Sequence, residues 1–256
     1  MPLSVNHSSR TVGSFGRWLL LATALLQVAA PPLIGFRSQA DDPPLVPPGP
    51  FFAVWGVILL GCLAVAVWGF PLSRATEPPY RRVQVPLSLV QLGFVAWLVA
   101  AASAATWLTV PIFVAMLAGL AVGLRRVLMS TDHRERTSRA LVGGVLGVYA
   151  GWSTAAVCVN TATLLPESAF VGGPGLALQC AFVVAAATAA GVGAFLLRGQ
   201  LPYTLTAGWA LAGVAVSAVM AGLPLLAVSA VVGLLGVGAV ALLRRRGAVG
   251  EPRLEH

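Results

Sequence analysis

Eight stretches of the chain are apolar for long enough to cross a bilayer, which takes about 20 consecutive residues. They are 17–36, 50–70, 84–104, 107–124, 139–165, 174–197, 202–221 and 224–243. The last two come from one continuous apolar stretch, 202–243, too long for a single crossing. Gly222-Leu223-Pro224 is the natural place for it to break, since glycine ends helices and proline begins them. The first run also has features of a signal peptide, with Arg10 and Arg17 ahead of an apolar segment that reaches Val28-Ala29-Ala30. It continues through Pro31 and Pro32 to Phe36, which favours a membrane helix. The pattern therefore predicts an all-α integral membrane protein, a bundle of about eight transmembrane helices.

Composition agrees. Hydrophobic residues make up 58% of the chain, charged residues 9%, and the mean hydropathy is +0.88. A soluble domain carries roughly 25% charge, so this chain cannot cover a water-facing surface. The net charge of +8 would hint at nucleic acid in a soluble protein. Here the basic residues sit in short loops between spans, which excludes that reading. Every basic residue is arginine, and with so much Ala, Val and Gly this suggests a high-GC bacterial genome. If the N-terminus is cytoplasmic, 15 of the 16 arginines fall on the cytoplasmic side and only Arg37 lies outside. That asymmetry is what the positive-inside rule expects of an even number of spans with both termini cytoplasmic, in a bacterial inner membrane. The segment Arg125 to Arg139 also suits anionic headgroups. Leu254-Glu255-His256 resembles the start of a purification tag.

No Asp, Glu, Lys, Arg or His lies deep in any span. Proton relays, ion pathways and mid-membrane haem or metal ligation depend on such groups, so these classes are disfavoured and no cofactor or metal site is expected. Cys62, Cys158 and Cys180 lie in apolar runs without ligand spacing and read as buried small hydrophobes. What remains is a bundle lined by aromatic and small residues, suited to an apolar or amphipathic ligand.

On the fifth span Tyr149, Trp152, Ala156 and Asn160 share one helix face. That face serves either an interhelical hydrogen bond with packing or the wall of a ligand site. Gly143, Gly147, Gly151 and Ala155 form a neighbouring stripe of the small-xxx-small kind, which lets two backbones approach; Ala115, Gly119 and Gly123 repeat it on the fourth span. Before the second span, Pro47-Pro48-Gly49-Pro50 leads into Phe52 and Trp55, one turn apart. An aromatic belt at the membrane surface accounts for Trp at such a position without any ligand. The third span holds Gln91 and Trp97, and a buried Gln needs a partner, which a neighbouring helix, water or a ligand would supply. Arg198 to Leu205 fits the inverted cholesterol pattern, a motif of low specificity.

Together these segments resemble the TspO/MBR family of translocator or tryptophan-rich sensory proteins. Pro47, Gly49, Phe52 and Trp55 look like its proline-rich turn leading to F-x-x-W on helix two. Gln91-Leu92 with Trp97 is similar in residue type to its third-helix Q-L-x-x-N-x-x-W pattern, with the Trp one place earlier, and Trp152, Ala156 and Asn160 resemble its fifth-helix W-x-x-x-A-x-x-x-N signature. Val95 stands where the family has Asn, Leu59 where a Tyr commonly follows, and Arg37 to Val46 lacks the tryptophan-bearing first-loop motif. The motifs cover residues 14–165. On this reading 1–16 is a cytoplasmic segment, 17–165 a five-helix core, 166–243 a three-helix extension like that of longer bacterial relatives, and 244–256 a basic tail.

The resemblance implies a bundle with a ligand pocket opening toward the first loop, homodimers, and binding of tetrapyrroles, sterols and synthetic drugs. The expected pocket lies between the first, second, third and fifth helices and is closed outside by residues 37–49. Trp55, Gln91, Trp152 and Asn160 contribute to its wall, with Phe52, Trp97 and Tyr149 as second-rank candidates. The expected function is that of a bacterial inner-membrane sensory or binding protein, a receptor for a hydrophobic small molecule such as a tetrapyrrole or a sterol- or isoprenoid-like lipid, in contact with membrane lipids and not with nucleic acid. A rival is a membrane enzyme acting on an isoprenoid or other lipid-like substrate, with its acid drawn from Asp41, Asp42 or Glu167 at the outer face. A second rival is a transporter or exporter subunit, which the lack of an evident inverted repeat disfavours.

Overall fold

The computed structural model describes residues 7–35, 42–129 and 136–250. Eight long helices account for most of them: α1 (His7–Ile34), α2 (Val54–Trp68), α3 (Pro78–Ala102), α4 (Thr109–Leu128), α5 (Arg136–Ala162), α6 (Gly172–Leu196), α7 (Leu201–Met220) and α8 (Pro224–Gly250). All eight are long and apolar enough to span a membrane, α2 together with the 3₁₀ turn Gly49–Ala53 that leads into it. The expected spans and the observed helices coincide except at their ends. The third helix begins earlier than hydropathy suggests, because Pro78 and Pro79 start it in the polar segment ahead of the apolar run.

The long apolar stretch breaks where its punctuation predicts. Gly222 adopts φ +68°. Its N–H bonds Val219 O and the Leu223 N–H bonds Ala218 O, which satisfies the last carbonyls of α7 in a Schellman arrangement. Pro224 then opens α8.

By Cα proximity the chain divides into two compact units, Met1–Arg37 with Trp55–Leu146, and Ser38–Val54 with Gly147–His256. In the first, α3 packs against both α1 and α4. Small residues set the spacing: a Cβ on Gly93 would lie 2.7 Å from Met116 Cγ, and one on Gly119 would lie 2.9 Å from Val90 Cγ2. In the second unit α8 packs against both α6 and α7, with Gly233 facing Ala187 and Gly208 facing Leu234.

The glycine stripe of α5 meets its neighbour at Gly151. A side chain there would run into the Tyr203 carbonyl oxygen, with Ala207 N at 3.1 Å, so α5 and α7 are in backbone contact. The Tyr203 ring crosses toward Gly193 of α6, and its hydroxyl lies 3.1 Å from Thr154 Oγ1. Three helices thus close around one tyrosine because two glycines make room for it. Tyr203 is the aromatic residue of the inverted cholesterol pattern, and at 2% exposure it faces protein, not lipid.

Candidate functional site

The first unit gathers four aromatic rings at the end formed by the start of α2, the end of α3 and the start of α4. Trp55 lies over Phe94 at 4.8 Å and stacks on Trp97 at 6.1 Å with 25° between the planes. Phe113 meets Trp97 edge-on at 5.5 Å and Trp55 at 6.4 Å. Offset and edge-to-face pairs of this kind contribute about 0.5–1.5 kcal/mol each beyond area burial. Trp55 is 4% exposed, so its indole belongs to the interior of this unit and not to a membrane-surface belt. Trp97 is half-buried, and through it the layer reaches the surface.

Beneath the rings is a polar layer. Seven residues beyond Trp55, about 10 Å along α2, the Cys62 thiol hydrogen-bonds Gln91. Thr23 Oγ1 of α1 lies 2.5 Å from Gln91 Oε1 and 2.9 Å from Leu19 O. A hydroxyl has one proton for those two acceptors. The amide turned by 180°, with Nε2 donating to Thr23 while the thiol faces Oε1, satisfies every member of the set. Gln91 is fully buried, and the partner it needs is a neighbouring helix. An amide carries two N–H donors and two lone pairs, so capacity remains on both its ends.

The second unit holds the other predicted residues. The proline-rich segment before α2 is seated on α7: the Trp209 indole N–H donates to Phe51 O at 3.0 Å, the two rings lie 4.5 Å apart, and Gly213 leaves space for Pro47 and Phe51. Phe52 then meets Trp152 of α5 edge-on at 5.5 Å. Tyr149 and Trp152 are buried and Asn160 is half-buried, so their shared face opens toward the end of α5.

The seven predicted residues therefore fall into two sets: Trp55, Gln91 and Trp97 in the first unit, and Phe52, Tyr149, Trp152 and Asn160 in the second. Phe94, Phe113, Thr23 and Trp209 were not foreseen. Phe94 had a legible signal, lying three residues from both Gln91 and Trp97 on α3. Phe113 and Thr23 had none, because nothing local says which helices become neighbours. Residues 37–41 of the expected lid, Arg37 and Asp41 among them, lie outside the described residues; Asp42 belongs to the second unit, and Glu167 is exposed in the 3₁₀ turn Glu167–Phe170. Among the described residues no three His, Cys, Asp or Glu side chains come together as a metal site would require.

Eight apolar helices, with aromatic and amide side chains in place of intramembrane charges, define a multi-pass helical membrane protein. The comparison with protein families is specific about which: the family model described as TSPO-like protein matches residues 20–243. The chain belongs to the TSPO-like protein family. The match runs through all three C-terminal helices, past residue 165 where the motif resemblance ends. No curated protein and no solved structure matches the chain significantly.

Proposed function

We propose that this protein is a sensory or binding protein that takes a planar hydrophobic ligand, of tetrapyrrole or lipid-like chemistry, against the aromatic layer of the first unit. The observation that carries the reading is that layer itself: Trp55, Phe94, Trp97 and Phe113 converge from three helices above the buried Gln91 amide, with Trp97 half-exposed at the rim. Indole and phenyl faces match the faces of a large flat molecule, and the indole N–H offers a donor to its polar edge. The spare hydrogen-bonding capacity of Gln91 suits a polar substituent that reaches past the rings. The division of the arginines supports a bacterial inner membrane with both termini cytoplasmic, an orientation that would turn this layer toward the outside.

The test is a titration of protoporphyrin, haem and apolar drugs into the detergent-solubilised protein, followed by tryptophan quenching and by the blue-edge absorption of a tetrapyrrole. Trp55→Ala and Trp97→Ala should each weaken binding ten- to a hundred-fold, the effect of removing about 1–3 kcal/mol of ring contact. Tetrapyrroles that bind no better than detergent partitioning explains would end the tetrapyrrole reading. Wild-type affinity in both folded variants would move the ligand away from this layer.

A further inference from the structure

The opposite end of the first unit carries a different feature, built from two arginines and two carbonyl groups. Pro86 sits inside α3 and has no N–H, so the carbonyl of Arg82, four residues earlier, has no helical donor. The carbonyl of Arg126 lies in the last turn of α4, where carbonyls also lack helical donors. The structure solves both together: Arg126 Nη1 donates to Arg82 O at 3.5 Å, and Arg82 Nη1 donates to Arg126 O at 3.3 Å. Each arginine supplies the donor that the other's carbonyl lacks, which draws two like charges into one place. Neither forms an ion pair among the described residues, and both are exposed. Arg81 and Arg125 lie beside them in the chain, and Glu77 is the one acidic residue described in this unit.

Below this pair the surface is apolar. Val85 and Leu89 lie three and seven residues beyond Arg82, and Val122 four residues before Arg126, so all three share the faces of the clamped arginines. Their exposures are 52%, 63% and 46%. A cationic pair at the helix ends with exposed aliphatic side chains beneath it has the polarity of a phospholipid, with a phosphate above and acyl chains below. Each guanidinium uses one of its five donors on a carbonyl, and the planar fork that remains suits phosphate oxygens.

We propose that the Arg82–Arg126 clamp is a binding site for an anionic phospholipid, its phosphate held between the two guanidinium groups and its chains against Val85, Leu89 and Val122. The site is independent of the ligand proposed for the aromatic layer. A diffuse basic surface attracts anionic membrane in general; this site is distinguished by two guanidinium groups held in place by groups that need them.

The experiment uses the purified full chain in a non-ionic detergent, with bound lipids counted by native mass spectrometry and thermal stability followed in parallel. The probes are phosphatidylglycerol, phosphatidylcholine of the same chains, and inorganic phosphate. Phosphatidylglycerol should bind and stabilise, and the other two should not. Arg82→Gln with Arg126→Gln should weaken phosphatidylglycerol on the order of tenfold or more, whereas Arg81→Gln with Arg125→Gln, which removes the same charge, should change it only a few-fold. Equal losses in the two pairs would mean diffuse charge and overturn the site. Equal protection by inorganic phosphate would overturn the lipid assignment. Should the glutamine pair fail to fold, Arg82→Lys with Arg126→Lys decides: it keeps the charge without the fork, so several-fold weaker binding supports the site and undiminished binding refutes it.

Discussion

The contact between α5 and α7 can be tested at a single atom. Gly151→Ala adds one methyl group pointing at the Tyr203 carbonyl oxygen, with Ala207 N 3.1 Å away. Both obstacles are backbone, so no side chain can rotate aside and the two helices must separate. Forcing a methyl group into such a contact costs about 1–3 kcal/mol. Separation would also stretch the 3.1 Å Thr154–Tyr203 hydrogen bond, a further ~1 kcal/mol. The helix preference of alanine over glycine returns up to about 1 kcal/mol. The net expectation is a loss of about 1–3 kcal/mol, or a fall in melting temperature on the order of 2–12 °C for a chain of this size. The neighbouring glycines set the scale. Gly147→Ala first meets the side chain of Gln200, which can swing away at the expense of its hydrogen bond to Tyr203 N, and should cost less. Gly143→Ala faces Val127 Cγ1 at an ordinary 3.5 Å, and Gly191→Ala on α6 meets nothing within 4 Å; both should be near neutral. Unfolding can be followed with a thiol-reactive dye, since Cys62 is fully buried until the protein opens. A Gly151→Ala protein as stable as Gly191→Ala would mean that α5 and α7 do not touch there.

Two other outcomes are expected. Thr23→Val leaves one end of the Gln91 amide unpaired and should destabilise by about 1 kcal/mol, whereas Gln91→Leu removes the amide and should be close to neutral in the same melting assay; the reverse order would refute the hydrogen-bonded set. Cysteines introduced near residues 45 and 250 should label from opposite sides of the membrane, and labelling from the same side would reject the eight-span topology with both termini cytoplasmic.

The hydropathy of the chain was enough to determine eight spans, because the bilayer sets the length of apolar sequence that a helix needs. The break at Gly222 was equally legible, since glycine followed by proline ends one helix and starts the next whatever surrounds them. So was the small-residue face of α5, which has no use except close approach. The partners of those faces were not. Lipid is as apolar as a helix interior, so a lipid-facing Leu and a buried one look alike in sequence, and hydropathy says nothing about which helix lies beside which. Only the tertiary structure decided that Gly151 meets the α7 backbone, that Phe94 and Phe113 join Trp55 and Trp97, and that Thr23 answers Gln91. It alone decided that Trp55 is an interior residue, because a tryptophan near a helix start suits a membrane surface and a packed layer equally well until the neighbouring helices are in place. That an arginine from α4 would bond the carbonyl that Pro86 leaves without a donor is likewise a fact of packing.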